Sequence, residues 1–116
     1  PQYVLSAQNQ STLSELVHYY NLNKYFNGVF GVDNFLAKGK NDLAVKLQKT
    51  LRKKTSLYLI GDTSLDFEAA KKINAVCLFV GWGHYSKKRL SLLSSSLFSS
   101  PEKLKEKVCL LINKVN

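Results

Sequence analysis

Leu57-Tyr58-Leu59-Ile60-Gly61-Asp62-Thr63-Ser64-Leu65-Asp66-Phe67-Glu68-Ala69-Ala70 is the stretch that decides how this chain folds. Leu57 to Ile60, an apolar run bounded by Thr55-Ser56 and a glycine, reads as a short strand buried on both faces, as in a parallel sheet. Gly61 lets the backbone turn. Phe67, Ala70 and Ile73 then recur at helical spacing, so Asp66 opens a helix. Asp62 and Asp66 are thereby expected at the carboxyl end of a central parallel strand, where open α/β sheets bind their ligands. Hard oxygen donors at this separation suit Mg²⁺, which is usually held by one or two carboxylates together with phosphate oxygens. A purely structural reading also fits: an N-cap aspartate and a first-turn aspartate, both stabilising the helix. The two acids leave both readings open, and the strand–Gly–Asp context favours the metal site.

Working outward, the same alternation repeats. Tyr3-Val4-Leu5 reads as a strand ending in the hydroxyl of Ser6. Thr12 and Glu15 have capping-box spacing, and Leu13, Leu16, Val17 and Tyr20 predict one apolar helical face. Asn21 to Lys24 breaks that helix, and the glycine-punctuated Tyr25–Gly31 predicts a turn and a short edge strand. Phe35 to Asp42 is a loop running into a helix capped by Asn41 or Asp42, with Leu43, Leu47 and Leu51 inside and Arg52-Lys53-Lys54 closing it. Ala75 to Val80 is a second strand buried on both faces, followed by Gly81-Trp82-Gly83-His84 and a short helix over 86–93. A serine-rich connection with a token strand at Leu97-Phe98 leads to Ser100 as cap and Pro101 at the first position of a last helix. That helix is striped by Leu104, Val108, Leu111 and Val115. Alternating strands and helices predict a layered α/β fold with parallel βαβ units. Ser6, the Lys38/Lys40 pair, Asp62 and Asp66 all fall at or just beyond strand carboxyl ends, a set suited to a phosphate bound through Mg²⁺.

Composition narrows the classes. At 116 residues and 45% hydrophobic, the chain is expected to form a single domain with a real core. Its longest apolar run, Ala75 to Val80, is far short of the ~20 residues a membrane-spanning helix requires. Cys77 and Cys109 have no metal spacing and are expected to be buried, reduced thiols, compatible with a cytoplasmic protein. With 17 Lys+Arg against 8 Asp+Glu, the net charge of +9 attracts anions without choosing among phosphorylated metabolites, nucleic acid and anionic membrane. Tyr3-Val4-Leu5 begins so close to the first residue that a piece of a longer polypeptide is expected.

Ser6 after a strand, a lysine ahead of a helix, then Gly61-Asp62-Thr63-Ser64-Leu65-Asp66 after another strand resemble motifs two, three and four of the haloacid dehalogenase-like hydrolases. The likeness is greatest to the phosphoglycolate-phosphatase-like branch, through Ile60-Gly61-Asp62-Thr63-x-x-Asp66-x-Glu68-x-Ala70, the later Gly83-His84, and Phe35-Leu36-Ala37-Lys38-Gly39-Lys40. It covers Val4 to about Leu90, and the ordered triplet is far more specific than a lone GDxxxD. The resemblance implies a Rossmann-like three-layer parallel sheet flanked by helices and Mg²⁺-dependent hydrolysis of small phosphate monoesters through an aspartyl-phosphate. It implies that Ser6 and the backbone N–H of Ala7 bind the phosphoryl group. Lys40 (or Lys38, across Gly39) would neutralise its charge as the catalytic cation, Asp62 would bind Mg²⁺ directly, and Asp66 would bind it through water or orient Lys40. Phosphoryl transfer asks for this kind of positioning and charge neutralisation.

One motif departs. The family's first strand, ending in Asp-x-Asp, has no counterpart: the aspartates are Asp33, Asp42, Asp62 and Asp66, none two residues from another. In the family that strand lies in mid-sheet, between those ending here at Ser6 and Asp62, and a helical cap follows it. Residues 1–116 are therefore expected to be the C-terminal portion of such a core domain, incomplete in its first strand and cap, poorly stable and inactive alone. The rival reading is a non-catalytic basic α/β module that binds an anionic partner. Arg52-Lys53-Lys54 and Lys87-Lys88-Arg89 make nucleic acid conceivable, but the basic residues scatter and no aromatic-rich binding strand accompanies them. His18, Trp82, His84 and Tyr85 are expected to be structural.

Overall fold

Parallel strands and helices alternate along the chain in a computed structural model that describes residues 1–33, 38–51, 56–81 and 97–115. The elements are β1 (Tyr3–Leu5), α1 (Gln10–Tyr19), a 3-10 turn (Asn23–Tyr25), β2 (Gly28–Phe30), α2 (Lys40–Gln48), β3 (Tyr58–Gly61), α3 (Ser64–Lys72), β4 (Val76–Val80), β5 (Leu97–Phe98) and α4 (Pro101–Val115). They divide into two compact units, Pro1–Thr55 and Ser56–Asn116. Each has its own small sheet, ordered β1-β2 in the first and β3-β4-β5 in the second. The helix expected over 86–93, with Trp82, His84, Tyr85 and the basic run 87–89, lies outside the described residues, as do 34–37 and the basic run 52–54.

In the first unit, β1 and β2 pair in parallel with Val4 opposite Val29, α1 packs against β2 and α2 against β1. Helix α1 starts earlier than the Thr12–Glu15 spacing suggests. Asn9 is its N-cap, and the Asn9 side-chain oxygen accepts from the Thr12 N–H at 2.8 Å. Leu13 and Val17 are buried as expected, whereas Leu16 and Tyr20 are exposed, so the apolar arc is wider than the surface it packs on. The helix ends at Asn21 in the left-handed region (φ 57°). There the Asn21 N–H donates to the His18 carbonyl and the Leu22 N–H to the Val17 carbonyl, a Schellman closure. Helix α2 starts from Gly39 rather than Asn41 or Asp42, and it buries Leu43, Ala44 and Leu47 while Leu51 is half-buried.

In the second unit, β3 pairs with β4 (Leu59 opposite Cys77, Gly61 opposite Phe79) and β4 with β5, all in parallel. Helix α3 covers one sheet face. Ala70, Cys77 and Phe79 form the core, with Leu59, Phe67, Ala75 and Leu97 packed around it. The Phe67 and Phe79 rings stack at 6.1 Å, and Phe79 is fully buried, worth about 1.5–3 kcal/mol in transfer free energy. Asn74, left-handed at φ 54°, closes α3 with a second Schellman pair and turns the chain into β4. Strand β3 corrects the two-faced expectation: Leu59 faces the core, but Tyr58 and Ile60 are 43% and 50% exposed. No strand pairs with the other edge of β3 among the described residues. Ser100 caps α4 as expected, its hydroxyl accepting from the Lys103 N–H at 3.3 Å. Cys77 is buried and Cys109 exposed, and no disulfide joins them, so the expected burial holds for only one of the two thiols. No helix among the described residues is long and apolar enough to cross a membrane.

Candidate functional site

The sequence-selected residues fall in both units: Ser6, Ala7, Lys38 and Lys40 in the first, Asp62 and Asp66 in the second. Ser6 and Ala7 form the turn leaving the carboxyl end of β1. The Ser6 N–H donates to the Phe30 carbonyl at 3.1 Å, continuing the β1–β2 ladder for one residue. The Ser6 hydroxyl oxygen accepts from the Gln8 N–H at 3.1 Å. One hydroxyl lone pair is thus committed to the turn and its proton can be aimed outward, while Ala7 is exposed.

What fixes this turn is a residue that sequence reasoning passed over. The Gln10 side-chain amide donates to the Val29 carbonyl at 3.0 Å and accepts from the Gly31 N–H at 2.8 Å. It occupies the side of β2 away from β1 as a neighbouring peptide group would. The Gln10 N–H donates to Asp33 Oδ1 at 2.7 Å, and the Val32 N–H to the Gln8 carbonyl at 2.8 Å. A Cβ at Gly31 would stand 2.6 Å from the Gln10 backbone nitrogen, so glycine is what permits this close approach. The Gln10 amide also donates to Ser14 Oγ at 2.8 Å, one helical turn on, but no local pattern announces the bracing, because the partners at Val29, Gly31 and Asp33 lie 19 to 23 residues away.

Lys40 is the first residue of α2, half-buried, and Lys38 is exposed beyond Gly39. Asp42 does not cap the helix; its Oδ2 accepts from the Lys38 N–H at 2.9 Å and pairs with Lys46 Nζ at 3.1 Å. The Lys38 N–H first, and the Lys46 ammonium second, hold the Asp42 carboxyl below its ordinary range.

In the second unit, Gly61 ends β3, Asp62 and Thr63 form the turn, and Thr63 is the N-cap of α3. Asp66 is not exposed at the mouth of the turn. It is 2% exposed and folds back beneath the residues that precede the helix. Its Oδ2 accepts from the Asp62 N–H at 2.8 Å, the Thr63 N–H at 3.1 Å and the Thr63 hydroxyl at 3.3 Å. Gly61 is required by the same arrangement, because a Cβ there would overlap the Cβ, Cγ and Oδ2 of Asp66. Thr63-x-x-Asp66 carries capping-box spacing, a signal present in the sequence that identifies Thr63, not Asp62, as the cap. The half-buried Asp62 side chain belongs to the turn at the carboxyl end of β3.

As hard oxygen donors at a strand tip, these carboxylates have the chemistry Mg²⁺ selects. Among the described residues no three His, Cys, Asp or Glu side chains gather into a self-sufficient metal cluster.

The chain matches no protein-family model and no curated protein. Among solved structures it resembles that of a proposed phosphoglycolate phosphatase from Lactobacillus delbrueckii subsp. bulgaricus ATCC BAA-365. The TM-score is 0.79 at 22% identity, over 91% of this chain and 45% of that one. This chain therefore spans less than half of that protein's length. Parallel strands flanked by helices, built as in that protein, give this chain a Rossmann-like α/β fold.

Proposed function

We propose that residues 1–116 are the C-terminal portion of the core domain of a haloacid dehalogenase-like, Mg²⁺-dependent phosphatase that acts, when complete, on small phosphorylated metabolites such as phosphoglycolate. The observation that carries this reading is the β3–Gly61–Asp62 turn, which puts a carboxylate at a strand tip beside a helix start. The similarity in fold to a proposed phosphoglycolate phosphatase supports it. So does the separation of the strands ending at Ser6 and Asp62 into different sheets, each with an edge no described strand covers.

In this reading the Ser6 hydroxyl and Ala7 N–H donate to phosphoryl oxygens, and Lys40 neutralises their charge. Asp62 holds Mg²⁺, which supplies further charge neutralisation when bound. A chain without Asp-x-Asp has no nucleophile to offer, so it binds phosphate without turning it over. Its two thiols, in no disulfide, suit the cytoplasm, where thiols stay reduced.

The test is phosphate binding to the chain with and without Mg²⁺. Mg²⁺-dependent binding that Asp62→Asn abolishes is the expected result. The +9 charge favours one rival, a basic module for anionic partners. Oligonucleotide binding that falls steeply with salt and persists in Asp62→Asn would establish that module instead. Turnover of a phosphate monoester by the chain alone would contradict the assignment of the nucleophile to a missing strand.

A further inference from the structure

We infer that Asp66 is a positioning residue that holds the Asp62 turn in shape, and that Gly61 is part of the same device. The inference deepens the phosphatase reading and rests on it for its Mg²⁺ readout alone. Asp66 is the one charged side chain buried among the described residues. A buried carboxylate is stable only when donors surround it, and Oδ2 has three, two of them the N–H groups of Asp62 and Thr63. Through Oδ2, Asp66 fixes the backbone from which the Asp62 side chain projects.

Gly61 is coupled to the same side chain: its missing Cβ is the space that Asp66 fills. A methyl there displaces Asp66 whether it clamps or ligates, so Gly61→Ala tests that the two residues act as one device, and Asp66→Asn separates the roles. The clamp predicts that Gly61→Ala and Asp66→Ala weaken Mg²⁺ in the same way and that the double variant is no worse than either. Asn at position 66 keeps an acceptor oxygen for both N–H groups but loses the charge a directly bound Mg²⁺ would need.

The experiment titrates Mg²⁺ alone into the chain and its variants, and follows Asp62 and Thr63 amide exchange by NMR. Removing an outer partner of a metal ligand costs about 10–100-fold in affinity, and that loss is expected for Asp66→Ala and Gly61→Ala. Asp66→Asn is expected to stay within about threefold of the unsubstituted chain, the conservative variant preserving the outer partner. Equal losses for Asp66→Asn and Asp66→Ala, with both amides still protected in Asp66→Asn, would overturn the clamp in favour of a ligand role. A chain that binds no Mg²⁺ would sink the phosphatase reading and leave the clamp to the amides. Slow exchange of Asp62 and Thr63 N–H in the unsubstituted chain then sustains the clamp, and fast exchange refutes it. That last measurement requires no variant to fold.

Discussion

Replacing Gly61 by alanine sets two effects of opposite sign against each other. Gly61 does not lie in the left-handed region, so alanine can adopt its backbone conformation. On backbone grounds the change would stabilise by about 0.4–1 kcal/mol, through a less flexible unfolded chain. Against that, the new methyl occupies the volume of the Asp66 side chain. Overpacking of this kind costs about 1–3 kcal/mol. The displaced carboxylate also deserts the N-terminus of α3, where a cap is worth about 1 kcal/mol. Both losses come from one displacement, and together they exceed the entropic gain, so a net loss of about 2 kcal/mol is expected. Denaturant titration followed by Phe67 and Phe79 packing in near-ultraviolet dichroism reads this as a lower midpoint with unchanged slope. A midpoint equal to or above that of the unsubstituted chain would refute the packing argument.

Three further outcomes follow from the geometry. Gln10→Ala removes the amide that pairs with Val29 and Gly31; each hydrogen bond is worth about 1 kcal/mol, so a loss of about 2 kcal/mol in the stability of the first unit is expected by denaturant titration. Phe79→Ala empties the centre of the second unit and should cost about 3–5 kcal/mol, whereas Tyr19→Ala, at a site 80% exposed, should stay within about 0.5 kcal/mol. Asp42 gives a pH signature. Its folded-state pKa is lowered, so its contribution is complete above the unfolded carboxyl's value of about 3.9 and disappears as pH falls through the lower folded value. Asp42→Asn should therefore flatten the acid limb of the stability–pH curve and leave the curve above pH 6 parallel to that of the unsubstituted chain.

The α/β class was legible because apolar runs, glycines and helical spacing are local. Leu59, Cys77, Leu78 and Phe79 are where such runs predict a core. Tyr58 and Ile60 failed for an equally physical reason: an apolar residue records what a face is suited to, not whether a layer covers it. Helix starts were misplaced at Asn9 and Gly39 because several residues nearby had acceptable capping chemistry, and tertiary packing chose among them. In the candidate site, Ser6, Asp62 and Asp66 were visible as polar residues at strand ends. The burial of Asp66 under its own turn was concealed in the capping-box spacing of Thr63-x-x-Asp66. The bracing by Gln10 could not be read at all, since each of its side-chain bonds to β2 joins positions far apart in sequence.

The two thiols of the second unit make it its own clock. Cys109 stands in solvent on α4, while Cys77 lies inside the sheet against α3. An alkylating reagent therefore meets one sulfur at once and the other only when that unit opens. The mass of the labelled chain, followed over time, reports how often that unit opens.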